Sequence, residues 1–81
     1  MSTVSIRLFA AFREQAGWSE KQMDLPDRMK LSELMSILER DDGLSLTDRP
    51  VYAAVNQEYT DAERELIDGD VVALFPPVSG G

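Results

Sequence analysis

The residues best placed to do chemistry in this 81-residue chain are its last seven, "FPPVSGG". They hold one hydroxyl, on Ser79, and beyond it the carboxylate of Gly81. The chain contains neither Cys nor His. That excludes CxxC redox chemistry and thiolate zinc sites, and removes the usual nucleophile, base and metal ligands. Carboxylates, Ser, Lys and Tyr are left for any reaction within the chain. Without a His base, Ser79 reads as a small residue that fits a channel, not as a nucleophile. A carboxylate at a chain tip is resonance-stabilised and has a poor leaving group, so it carries nothing until it is activated. Adenylation with ATP would supply the leaving group.

The elements before this tip must present it. Pro76 and Pro77 cannot donate to a sheet ladder, so strand pairing is expected to end at Phe75, with the tail held off the sheet edge. Six residues follow Phe75. At ~3.3–3.6 Å each they reach about 20 Å, long enough to enter another protein's pocket. Gly80 and Gly81 pass where a β-carbon would collide. The chain therefore divides into a folded domain, 1–75, and a projecting tail, 76–81.

Composition bounds the rest. With 15 acidic and 8 basic residues the net charge is −7, which repels phosphate backbones and anionic lipid, so neither nucleic acid nor membrane is an expected partner. No 18-residue apolar run and no signal-peptide pattern is present, and one soluble cytoplasmic domain is expected. A chain this short buries roughly 60% of its unfolded surface, enough for one modest core but not for a deep active-site cavity.

Along the chain, "TVSIRLFA" places Val4, Ile6 and Leu8 on one face of a strand and Ser5, Arg7 and Phe9 on the other. "AAFREQAG" predicts a short helix stopped by Gly17, and "SEKQMDLP" an edge strand ending at Pro26. In "LSELMSILERDDG", Leu31, Leu34, Met35 and Leu38 fall at i, i+3, i+4 and i+7, predicting the main helix, with Gly43 as its stop and Asp27 or Ser32 as its cap. "PVYAAVN" and "VVALF" read as buried strands. Between them, Asp68-Gly69 reads as a turn and not as a metal or phosphate site. The acidic group Asp61, Glu63, Glu65, Asp68 and Asp70 reads as a solvated loop. The order strand, short helix, strand, helix, strand, strand predicts an α+β fold.

In that order, "RLFAAFRE" followed by Gly17, then "AAVNQEY", then "LIDGDVVALFPPVSGG" resemble the MoaD-type sulfur carriers, the small subunits of molybdopterin synthase. The ending is the specific part. In "DLPDRMKLSELMSILERDDGLSLTDRP" only the helical pattern is similar. The resemblance implies a ubiquitin-like β-grasp: a mixed sheet covered by one main helix plus a short one, with an extended C-terminal tail. It implies that an activating enzyme adenylates Gly81, that a sulfur donor turns the adenylate into a thiocarboxylate, and that this sulfur attacks a cyclic pterin precursor inside a large synthase subunit. Pro76, Pro77, Val78, Ser79 and Gly80 would thread into the partner, and Phe9, Arg13, Tyr59 and Phe75 would contact it.

The same resemblance implies a complex of two small and two large subunits, acid–base groups supplied by the partner, no metal, and no cofactor bound by this chain, ATP being used by the activating enzyme. By residue type alone, Phe9, Tyr59 and Phe75 fit core and docking patch equally, and Arg13 fits a solvated helix surface as well as a partner contact. Two other readings carry the same features. One is a β-grasp protein serving another sulfur pathway, such as thiazole formation or tRNA thiolation, or acting as a ubiquitin-like modifier. The other is a plain interaction module.

Overall fold

Alternation sets the first strand: Ser2, Val4, Ile6 and Leu8 are buried while Thr3 and Arg7 are exposed, giving β1 (Ser2–Leu8). The computed structural model describes residues 1–46 and 51–76. After β1 come α1 (Ala11–Ala16), β2 (Glu20–Leu25), α2 (Leu31–Asp42), β3 (Tyr52–Val55), β4 (Glu58–Tyr59) and β5 (Val71–Phe75). The strands form one mixed sheet in the order β2-β1-β5-β3-β4. β1 and β5 run parallel at its centre, and every other pairing is antiparallel. β2 lies at an edge, as its charged sequence and terminal proline predict. A mixed sheet with its last strand inserted beside its first and one long helix across a single face is the ubiquitin-like β-grasp.

One face of the sheet holds the core. Val4, Ile6 and Leu8 of β1, Val55 of β3, and Val72 and Leu74 of β5 join Leu31, Leu34 and Leu38 of α2 in a single cluster, closed by Phe12, Leu25, Leu44, Leu46 and Leu66. Met35 packs at its margin, half-buried. Both helices stop on left-handed glycines, Gly17 (φ 83°) and Gly43 (φ 72°). Nothing lies within 4 Å of where a β-carbon on Gly43 would sit. Gly43→Ala is therefore expected to cost only the backbone term, about 1 kcal/mol in denaturant unfolding; a loss of several kcal/mol would contradict the open surroundings.

Two features differ from the sequence reading. Neither Asp27 nor Ser32 caps α2. Lys30 does: its N–H donates to Glu33 Oε1 (3.1 Å), and its carbonyl accepts from the N–H groups of Glu33 (3.0 Å) and Leu34 (3.1 Å). The first-turn donors that a side chain would otherwise satisfy are taken by the connection between β4 and β5, Leu31 N–H by the Arg64 carbonyl and Ser32 N–H by that of Ala62, both at 2.9 Å. Asp27 instead accepts from Ser2 Oγ (2.9 Å) and faces the Met1 amine (3.4 Å), which together hold its carboxyl below the usual carboxylate range.

The second difference is β4. "AAVNQEY" contains a whole hairpin, with Asn56 (φ 54°) and Gln57 (φ 71°) both left-handed between β3 and β4, as a two-residue type I′ turn requires. The usual signal for that turn is Asn-Gly. With Gln in the second place, and a strand of only two residues after it, periodicity has nothing to register.

Candidate functional site

β5 ends at Phe75, paired across the ladder with Tyr52 of β3, and the chain leaves the sheet at Pro76. Strand pairing stops where the prolines begin, as expected. On β5, Val72 and Leu74 face the core, so alternation turns Val71, Ala73 and Phe75 to the helix-free face. Tyr52 and Ala54 of β3 share that face through their register with Phe75 and Ala73, and Tyr59 of β4 lies opposite Ala54.

The result is an aromatic collar around the root of the tail. Tyr52 stacks on Phe75 with ring centroids 6.1 Å apart. Tyr59 and Phe9 meet the same ring edge-on at 5.8 Å and 6.2 Å. Such pairs contribute about 0.5–1.5 kcal/mol each beyond their area burial, so the rings hold one another without being covered. Phe9 remains 42% exposed, Tyr52 49% and Tyr59 76%, while Phe75 in the middle is half-buried. A shallow groove beside the collar is lined by Val51, Tyr52, Ala53, Tyr59, Thr60 and Phe75.

Phe9 reaches the collar because the chain turns sharply after β1. Its N–H donates to the Leu74 carbonyl (3.3 Å), its own carbonyl accepts from Phe12 N–H (3.2 Å), and Ala10 takes a positive φ of 53° between them. Buried Leu8 and Phe12 anchor the turn on either side. The Arg7 guanidinium lies 5.9 Å from the Phe9 ring centre and 4.0 Å from Glu20. Arg13 on α1 is exposed and lines a small depression with Arg7, Phe9 and Glu20. Two guanidinium groups thus flank the collar of a chain whose net charge is −7.

Of the residues singled out in the sequence, Phe9, Tyr59 and Phe75 converge in one cluster at the surface and belong outside the core, with Arg13 at its margin. Pro76 follows directly. Pro77, Val78, Ser79, Gly80 and Gly81 lie outside the described residues. Tyr52 was missed. Its alternation with Ala53 and Val55 puts it on the outer face, but only the β3–β5 register sets it against Phe75.

The acidic loop also needs correction. Asp61, Glu63, Glu65 and Asp68 are exposed, but Asp70 is only 3% exposed and structural: its Oδ2 accepts from Ile67 N–H (2.9 Å) and its Oδ1 from Asn56 Nδ2 (2.8 Å). Asp68 holds the predicted turn to β1 by accepting from Thr3 N–H at 2.7 Å. Glu63 pairs with Lys30 at 3.0 Å, and this hydrogen bond raises the Lys30 ammonium above its ordinary pKa. Among the described residues, no helix is long and apolar enough to cross a membrane.

A β-grasp sheet whose last strand ends in an exposed aromatic collar, with a Gly-Gly tail beyond it, defines a carrier-type member of the ubiquitin-like class. Residues 6–81 match the ThiS family, and the chain belongs to that family. It is 38% identical over 80 residues to the molybdopterin synthase sulfur carrier subunit of Escherichia coli, spanning 96% of this chain and 99% of that protein.

Among solved structures, a Pyrococcus furiosus chain assigned as molybdopterin converting factor subunit 1 superposes with a TM-score of 0.85 at 32% identity, covering 96% of this chain and all of that one. A chain from the complex of subunits 1 and 2 of the molybdopterin-converting factor of Helicobacter pylori gives 0.70 at 32% identity, with coverage of 98% and 99%. SAMP1 from Haloferax volcanii gives 0.78 at 26%, with coverage of 99% and 100%.

Proposed function

We propose that this protein is the sulfur carrier subunit of a molybdopterin synthase and that Gly81 is its chemical residue. The observation that carries the reading is the aromatic collar at the point where the "PPVSGG" tail leaves β5, in a chain that aligns with a named carrier subunit over nearly the full length of both. The collar gives a partner an apolar surface to grip, and the tail brings the reacting carbon into that partner's pocket.

The chemistry runs in three steps. A Gly81 carboxylate oxygen attacks the α-phosphorus of ATP in the activating enzyme, and pyrophosphate leaves. A donor of sulfide-level sulfur (HS⁻) then attacks the acyl carbon, AMP leaves with the bridging oxygen, and loss of the thioacid proton gives a terminal thiocarboxylate. In the large subunit the thiocarboxylate sulfur attacks a carbon of the cyclic pterin precursor and displaces an oxygen substituent from it, and hydrolysis of the resulting thioester returns the carboxylate and leaves the sulfur on the pterin. This accounts for a sulfur-handling protein without cysteine, since the atom rides on the main-chain terminus.

The large subunit is the synthase partner in this reading, supported by the subunit 1 and 2 complex of the H. pylori relative. Two copies of each subunit, a cytoplasmic setting and ATP use confined to the activating enzyme belong to the same proposal. Proton transfers on the pterin need an enclosed, organised site. The chain prepared with a terminal thiocarboxylate is therefore expected to convert the precursor only when the large subunit is added, reverting to the carboxylate as product forms. Catalytic conversion by the isolated chain would overturn the assignment.

The likeness to SAMP1, whose Methanosarcina acetivorans counterpart is described as a small archaeal modifier protein, favours a second reading as a protein modifier. Intact mass of the chain isolated from cells making the cofactor separates the two. A carrier shows oxygen replaced by sulfur at the terminus, whereas a modifier appears joined through Gly81 to lysines of other proteins.

A further inference from the structure

We propose that the hydrogen-bonded pair formed by Asn56 in the β3–β4 turn and the buried Asp70 is a positioning device that sets Tyr59 against Phe75 and so shapes the partner-facing collar, though neither residue belongs to it. The inference rests on the collar being the docking surface. Tyr59 sits on β4, which has only two residues and two ladder pairs, Ala54↔Tyr59 and Val55↔Glu58, at the edge of the sheet. So short a strand does not hold its own place. The turn feeding it is also costly, since Gln57 occupies the left-handed region (φ 71°) without being glycine.

What secures the turn is a set of bonds to the start of β5. Asn56 N–H donates to the Val71 carbonyl (2.8 Å), and Val71 N–H donates to Asn56 Oδ1 (3.0 Å). Asn56 Nδ2 donates to Asp70 Oδ1 (2.8 Å), while the other Asp70 oxygen accepts from Ile67 N–H. One buried carboxylate thus ties the β3–β4 turn to the turn that launches β5. At the far end of the hairpin the Thr60 N–H bond to the Ala53 carbonyl (3.1 Å) completes the frame. Tyr59 lies between these two attachments, and its ring meets Phe75 at 5.8 Å.

Asn56→Gly tests this without unfolding the hairpin, because glycine accepts φ 54° while removing both side-chain bonds. Asp70→Asn is the second variant. It keeps the shape and can still accept from Ile67, but any amide rotamer that does so sets a donor against Asn56 Nδ2. In the free protein both are expected to lose the nuclear Overhauser contact between the Tyr59 and Phe75 rings.

In calorimetric titration with the synthase large subunit, Asn56→Gly should weaken binding by about the same factor as Tyr59→Ala, on the order of tenfold. The double variant should bind no worse than Tyr59→Ala alone. That non-additivity is what a general loss of stability would not produce. Retention of the ring contact with wild-type affinity, or single effects that simply multiply, would overturn the proposal. If the wild-type chain fails to bind the large subunit, the functional reading is at fault, and the ring contact in the free protein still decides what the Asn56–Asp70 pair does.

Discussion

Removing Gly81, or extending the chain beyond it with a segment that is not cleaved, is expected to abolish sulfur transfer while leaving the unfolding transition unchanged. The chemical half follows from the terminus itself. Without Gly81 the activated carbon is displaced by one residue, about 3.5 Å, from where the partner's groups act, and positional errors of that size abolish a reaction that depends on alignment. With an extension, the Gly81 carboxylate becomes an amide, and the new terminal carboxylate is carried away from the position where the adenylate must form. The structural half follows from the core, whose last member among the described residues is Leu74. Thiocarboxylate formation by intact mass and thermal unfolding on the same samples check both halves. Full transfer by a chain carrying an intact extension would sink the assignment of Gly81.

Phe75→Ala is expected to weaken binding to the large subunit and to the activating enzyme together, each by on the order of 2–4 kcal/mol, or roughly 30- to 1,000-fold. Three other aromatic rings contact Phe75, so truncation removes a large central side chain and also releases Phe9, Tyr52 and Tyr59 from their common support. The side chain faces away from the core, so the fold should persist, although loss of three ring pairs also lowers its stability by on the order of 1–4 kcal/mol. On the proposed reading one collar serves both partners, so the two must compete for a single carrier molecule. Titrating one partner into a preformed complex with the other tests this, and a stable ternary complex would refute the shared surface.

How much of this was legible beforehand differs from residue to residue. Val4, Ile6 and Leu8, and Leu31, Leu34 and Leu38, announce their elements because strand and helix periods are local properties of the chain, and each set has only one apolar face to bury. Gly17 and Gly43 end their helices where predicted for an equally local reason, the left-handed residue each stop requires. The cap of α2 was misread because its first-turn donors are satisfied by Ala62 and Arg64, some thirty residues on, and no inspection of the helix's own flank reveals a partner so distant. Asp70 was misread for the same reason: the amide that pairs with its carboxylate belongs to Asn56, in the β3–β4 turn.

By itself, then, the sequence determined what is local or compositional: the helices and main strands, the absence of thiol and imidazole chemistry, and the two prolines that end β5 ahead of a bare Gly-Gly tip. Only the tertiary structure decided that Phe9, Tyr52, Tyr59 and Phe75 form a single surface. They lie in four separate segments, and which rings meet is fixed by placing β5 between β1 and β3 in one particular register. A slip of one residue would turn Phe75 into the core and Leu74 out to the solvent. The burial of Val72 and Leu74 against α2 is the energy that forbids it.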